Sequence, residues 1–285
     1  MRQEAALRRA TARARFVALL VLSLALGACA LTPREAQTRI DRLVAIALHE
    51  WRDWGSQQVR SSDAGGLCAV FADGSCRSVD DGCGRERSSR HCALVNRYWP
   101  PVSRYRHPCA EVDLCEASLP PGARAPRTEP WSAAFVSHLY RAAGFSRNEF
   151  EFSDTHADYV LAAHEGRMPL FELVPVPLAP RRGDLLCSVR GPGRAVGPPM
   201  IDWISAQSSP RPFTPMHCDL VVEVASEPRV ARIVGGNVEQ AVSMREAPLD
   251  EGGRLDWRPP PAPGWLLVLR LRRAPPDFGD RAGLK

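Results

Sequence analysis

Three residues far apart in the chain have the right types for nucleophilic chemistry. Ser132 follows Pro130 and Trp131 in "PWSAAFVSH", at the head of a run that is mostly small or apolar. His217 opens "HCDLVVEV", and Asn237 lies within "GGNV". A hydroxyl in the first turn of a helix sits in the field of unpaired N–H groups, which favours developing negative charge. An imidazole to take its proton and a polar group to orient that imidazole complete a triad in the chain order Ser132, His217, Asn237. Each member also has an ordinary structural reading: Ser132 as a helix cap, His217 as a hydrogen-bonded strand residue, Asn237 as a turn residue with positive φ. Asp219 shares a strand face with His217, but two residues along one strand its carboxylate need not reach the ring. His156 in "FSDTHADYV", with Tyr159 after it, is a further candidate at a helix start, and Trp131, His156, Tyr159 and Asp219 are expected around a cleft rim.

The elements that must carry these residues follow from periodicity. From Pro33 to Gly55, Ile40, Leu43, Val44, Ala47, Leu48 and Trp51 fall at the spacing of one buried helical face, with Gly55 as the stop. A second helix runs from Pro130 to Ala143 and is closed by Gly144. Strands are expected over 183–190, 217–224, 229–234 and 264–272, with 235–238 as a tight turn or bulge. In "HCDLVVEV" the period of two puts Cys218, Leu220, Val222 and Val224 on one face and His217, Asp219, Val221 and Glu223 on the other. This is an α+β pattern, N-terminal helices packed on an antiparallel sheet. Residues 56–125 carry Cys68, Cys76, Cys83, Cys92, Cys109 and Cys115 among Gly, Ser, Asp and Arg, and read as a cysteine-rich surface insertion. Disulfides are the expected use of these cysteines, with a zinc site involving His91 and His107 as the alternative; their pairing does not follow from sequence. Cys187 and Cys218 stand apart: either a bridge between two antiparallel strands or two buried free thiols.

The address is written at the N-terminus. Arg2, Arg8, Arg9, Arg13 and Arg15 precede an apolar run from Phe16 to Ala28, shorter than the roughly 17–25 residues of a membrane span. Basic segment, short apolar segment and small residues read as a secretory signal. "LGAC", Leu26 to Cys29, resembles the bacterial lipobox, which implies cleavage before Cys29 and acylation of that residue. Several acyl chains anchor firmly in a bilayer. Alanine at position 30 then favours the outer over the inner membrane, with the body facing the periplasm. The expected layout is a signal at 1–28, a tether at 29–39, one domain over 40–272 and a disordered tail from 273. The net charge of +5 includes the five signal arginines, so the remaining chain is near neutral and nucleic-acid binding is not expected.

"PWSAAFVSH", "GDLLC", "HCDLVVEV" and "GGNVEQAVS" together resemble the papain-like cell-wall peptidases and amidases of the NlpC and CHAP group, with Ser132 where that group has cysteine. The chain is also similar to the bacterial family called domain of unknown function 2272. That resemblance rests on Glu50-Trp51, Tyr98-Trp99, Trp131 to Phe135, His156 with Tyr159, Gly183 to Arg190, His217 to Asp219 and Gly235 to Val238. The resemblance to the NlpC and CHAP group implies a papain-like cleft and a hydrolase of amide bonds in peptidoglycan peptides, working through Ser132, His217 and Asn237 without a metal or cofactor, whereas the second resemblance names a family and no function. The alternative is an inactive papain-like module that binds a cell-wall peptide or an envelope protein. Serine sharpens the choice. Its proton must leave during attack, which an aspartate behind the histidine assists by charge and an asparagine only by its dipole.

Overall fold

The structure, a computed structural model, describes residues 31–61, 67–70, 74–77, 86, 89–109, 129–190, 215–256 and 265–272. Helix α1 (Pro33–Asp53) starts with a capping box: the Thr32 hydroxyl accepts from the Glu35 N–H at 3.2 Å, and the Glu35 carboxylate accepts from the Thr32 N–H at 2.9 Å. Most of the segment expected as a tether is thus helical. Ala36, Ile40, Leu43, Val44 and Ala47 bury the predicted face. Gly183 is fixed by this contact. Its φ is +92°, and a Cβ there would come 2.7 Å from a carbon of Ile40.

The rest of the chain adds β1 (Gln57–Ser61), β2 (Leu67–Val70), β3 (Cys76–Arg77), α2 (Ser89–Tyr98), α3 (Ser132–Ala142), α4 (His156–His164), β4 (Phe171–Pro175), β5 (Leu185–Val189), β6 (Met216–Ser226), β7 (Arg229–Val238), β8 (Ala241–Pro248) and β9 (Trp265–Leu271). Among the described residues the strands form one sheet in the order β3-β2-β1-β8-β7-β6-β5-β9-β4. The α+β class holds, but the sheet is mixed, because β1 runs parallel to β8. The segment expected as a surface insertion supplies three strands at one edge and buries Val95, Tyr98 and Trp99 of α2 and the residue after it in the main core.

Alternate residues of the central strands belong to two different apolar clusters. Leu185, Cys187, Leu220, Val222 and Val234 join the helices; Leu186, Val221, Ile233 and Val268 join Val176, Leu178 and Leu255. The period of two places these clusters on opposite faces. Because both faces are covered, β5 and β9 are buried at every position. Val224, expected on the apolar face, is exposed at the far end of β6.

Cys187 and Cys218 are register partners on β5 and β6 and form a disulfide, with Cα atoms 4.1 Å apart. Cys68–Cys76 and Cys92–Cys109 are also bonded. Cys83, Cys115, Cys29 with its signal, and the C-terminal tail lie outside the described residues. No helix among the described residues is long and apolar enough to cross a membrane.

A buried polar network joins α1, α2 and α3. Glu50 accepts from the Tyr98 hydroxyl at 2.7 Å and from Arg97 at 3.1 Å, with His138 at 3.6 Å, while Trp54 donates to Tyr98 at 2.8 Å. Burial pushes the Glu50 carboxyl up, but these partners outweigh it and hold it below the usual range. Trp131 stacks on Trp54 and Tyr98.

Candidate active site

Ser132 is the first residue of α3. Trp131 caps the helix with its backbone, and its indole donates to Glu86 at 2.6 Å. No side-chain cap is present, so the capping reading of Ser132 falls. Its hydroxyl turns instead to His156, with Oγ 2.7 Å from Nε2.

Four further bonds explain why His156 stands there. Ser137, one turn and a half along α3, donates to the Ser153 carbonyl at 2.8 Å and accepts from the Ser153 N–H at 3.1 Å. This stitches the segment before α4 onto α3. The Ser153 hydroxyl then bonds Asp158 at 2.6 Å and accepts from the Thr155 N–H at 3.0 Å, which shapes the start of α4 where His156 is the first residue. One helical turn later, the Tyr159 hydroxyl bonds Nδ1 of the same ring.

His217, near the start of β6, packs its ring edge-on against His156 with centroids 5.1 Å apart. Its Nε2 lies 3.0 Å from Asp219 Oδ1, and the second Asp219 oxygen binds Arg245 of β8. The expectation that Asp219 need not reach the ring is therefore corrected: a short side chain at i+2 on the same face closes the gap. Asn237 is corrected too. It sits at φ +54° in the irregular pairing between Gly235 and Val238, and it does not bond the imidazole, whose Nδ1 has no partner among the described residues. An asparagine tolerates that backbone better than most residues. The Gly-Gly pair before it acts through space rather than through a turn. A Cβ on Gly235 would fall 1.7 Å from Asp219 Oδ1, and one on Gly236 would fall 2.6 Å from Phe135 of α3. Both glycines let a carboxylate and a helix approach the strand backbone.

The site is dry. Ser132 is 8 % exposed, His156 4 % and His217 1 %. Burial, then the neighbouring His217 ring and Arg190, hold the His156 pKa well below that of a free imidazole. Burial also brings His217 down to about 4, although Asp219 opposes it. Burial would raise Asp219, but Arg245 and His217 outweigh that and keep its carboxyl below the usual range. At neutral pH the site thus holds two neutral rings and one carboxylate. Among the described residues, no group of three or more His, Cys, Asp or Glu is arranged to hold a metal ion.

Of the predicted residues, the structure brings Ser132 directly to His156, and His217 to Asp219. It leaves Asn237 outside both pairs. Arg245 and Glu86 were not foreseen. Nothing in a single sequence marks one arginine or glutamate among many, and both act across strands or segments distant in the chain. Asp219 had a signal, its i+2 position on the histidine strand.

Neither a search of curated proteins nor one of solved structures returns a match. Residues 103–270 match the family described as an uncharacterized protein conserved in bacteria (DUF2272). That span holds Ser132, His156, His217, Asp219 and Arg245, so the whole buried constellation lies inside the matched region. The chain belongs to this bacterial family.

Proposed function

We propose that the protein is a lipid-anchored cell-envelope hydrolase that cleaves amide bonds in peptidoglycan peptides through Ser132. The observation that carries this reading is the 2.7 Å contact between a helix-initiating serine and a neutral imidazole, beside a second imidazole held by a carboxylate. Nucleophile, proton acceptor and orienter are the parts that acyl transfer requires. The papain-like reading is supported by chain order: a nucleophile opens a helix packed on a sheet, and a histidine opens a long central strand. Cys29 supplies the anchor, with the body in the periplasm and the outer membrane favoured by Ala30.

One observation favours a second reading, an inactive module that binds a cell-wall peptide or envelope protein. Ser132 and both histidines are nearly inaccessible. Digestion of purified muropeptides by the intact protein in detergent separates the two. Cleavage by wild type and none by Ser132→Ala is expected. Cleavage by Ser132→Cys alone would establish the binding reading with a retired site, and cleavage by neither would sink the hydrolase.

A further inference from the structure

The N-terminal half of α1 carries a charged cleft that neither the buried constellation nor the Glu50 network uses. Arg34, Thr38, Arg39 and Arg42 of α1, with Ala143 and Gly144 after α3, line an open cavity of about 370 Å³. Arg34, Thr38 and Arg42 stand at i, i+4 and i+8, so they stack along one helical face. Arg39 forms a fixed wall: its guanidinium pairs with Glu149 at 2.8 Å and lies 5.0 Å from the centre of the Phe145 ring. Glu35, also on the rim, is committed to Thr32 in the capping box. The guanidiniums of Arg34 and Arg42 have no hydrogen-bond or ion-pair partner among the described residues. Arg42 lies over Gly144, where an added Cβ would come 3.6 Å from Nη1. Two exposed, unpaired guanidiniums facing one cleft suit a phosphate, whose oxygens accept N–H bonds from both. The cleft is separate from the candidate active site, since Ala143 lies about 16 Å along the α3 axis from Ser132.

What faces this cleft follows from the chain just before it. α1 begins at Pro33, and Leu31 already packs against the main core. Cys29 stands two residues before Leu31, and two peptide units span at most about 7 Å. An acyl group on Cys29 would therefore keep the start of α1 at the bilayer surface. There, arginines within a Debye length of about 8 Å are attracted by anionic lipid. Arg34 follows Cys29 by only five residues. We propose that the cleft binds the phosphate of an anionic phospholipid headgroup, a second contact that seats the body on the bilayer in one orientation. The proposal rests on the Cys29 anchor of the proposed function and is independent of catalysis. An anchor at one point leaves the body free to turn about it, and a headgroup held between Arg34 and Arg42 removes that freedom. Because the anchor keeps lipid close at hand, a site of modest affinity is filled.

Arginine modification tests this on the intact protein reconstituted in vesicles. Phenylglyoxal labelling, read by mass spectrometry, is compared in vesicles of phosphatidylcholine alone and of phosphatidylcholine with phosphatidylglycerol. Labelling of Arg34 and Arg42 should fall by about fivefold in the second set, and that of the exposed Arg229, outside the cleft, should not. Equal labelling in both sets overturns the proposal. So does protection in phosphatidylcholine vesicles by inorganic phosphate or by muropeptides with none from phosphatidylglycerol, which would give the cleft to free phosphate or to cell-wall carboxylates. A second measurement does not depend on the anchor. Binding of soluble dihexanoylphosphatidylglycerol to the intact protein in neutral detergent should weaken by about thirtyfold when Arg34→Gln and Arg42→Gln are combined, the worth of two arginines at an anionic surface. The intact mass reports acylation of Cys29 separately. An unacylated Cys29 with the thirtyfold loss would sink the anchor and leave the headgroup site standing. An acylated Cys29 without that loss would sink the site alone.

Discussion

Two buried carboxylates, Glu50 and Asp219, are finished to different degrees. Glu50 is closed: Tyr98, Arg97 and His138 surround it, and Trp54 completes the Tyr98 hydroxyl. Asp219 is also bound on both oxygens, but among the described residues the ring it holds ends in a nitrogen without a partner, and so does Arg245 at Nε. A complete network locks elements together. An incomplete one, packed against His156, leaves buried polar atoms without partners among the described residues. The difference separates architecture from chemistry more clearly than burial does, since both carboxylates are buried.

The largest expected effect would break this comparison at the open end. Asp219→Asn keeps the shape but removes the charge behind His217, and should lower muropeptide hydrolysis by up to about 10⁴-fold. Glu50→Gln is the matching change at the closed end. It should leave the rate within about threefold while costing about 2–3 kcal/mol in denaturant unfolding, the worth of hydrogen bonds to a charged group. If Glu50→Gln slows turnover as strongly as Asp219→Asn, the two networks are not functionally distinct.

Next is the clamp beneath the open network. The Cys187–Cys218 bridge closes a loop with a sequence separation of 31 and flanks His217 directly. Replacing both cysteines with alanine should cost about 3–4 kcal/mol in the chain-entropy description. The midpoint of a urea titration should fall accordingly, and hydrolysis should weaken even where the protein remains folded. Unchanged turnover in the folded fraction would mean that the bridge does not aim the imidazole.

Acid should sharpen the comparison. The unfolded chain takes up the His217 proton near 6.5, whereas the folded ring resists until about 4. Between these values the unfolded state holds more protons, so stability is full above about 6.5 and declines as pH falls toward 4, by about 3 kcal/mol. Asp219, whose folded pKa is depressed by Arg245 and His217, extends the loss at still lower pH. The groups setting this shift are Asp219, Arg190 and Arg245, together with burial. Unfolding curves from pH 7.5 to 4 measure it; a flat response between 6.5 and 4.5 would contradict a neutral buried His217. With His217 as the proposed base, the acidic limb of kcat/KM should also lie near pH 4 rather than near 6.5.

The smallest effect is expected at Asn237. Because it carries a left-handed backbone and no bond to the imidazole, Asn237→Gly should shift stability by less than about 1 kcal/mol and leave the rate within about threefold. A loss near that of Asp219→Asn would restore Asn237 as the orienter.

Much of the scaffold was legible before any coordinates. The apolar stripe from Ile40 to Ala47 gave α1, and Pro130 to Gly144 bracketed α3 to within two residues. The alternating "HCDLVVEV" and "GDLLC" gave β6 and β5, since local periodicity is a property of the chain alone. The same rule placed Cys187 and Cys218 on core faces but left open whether they meet, because register is set between strands. β1, β2 and β3 were hidden in a Gly- and Ser-rich segment, where pairing of β1 to β8 and of the three to one another, rather than hydrophobic pattern, makes the strands. The serine and both histidines were recognisable by type and position. Their partners were not. His156 rather than His217 touches Ser132, and Asp219 rather than Asn237 touches His217, because contact depends on how α4 is stitched to α3 through Ser137 and how closely Gly235 admits Asp219. Residue types name the chemistry a chain can carry, and packing distances of a few ångströms choose which pairs perform it.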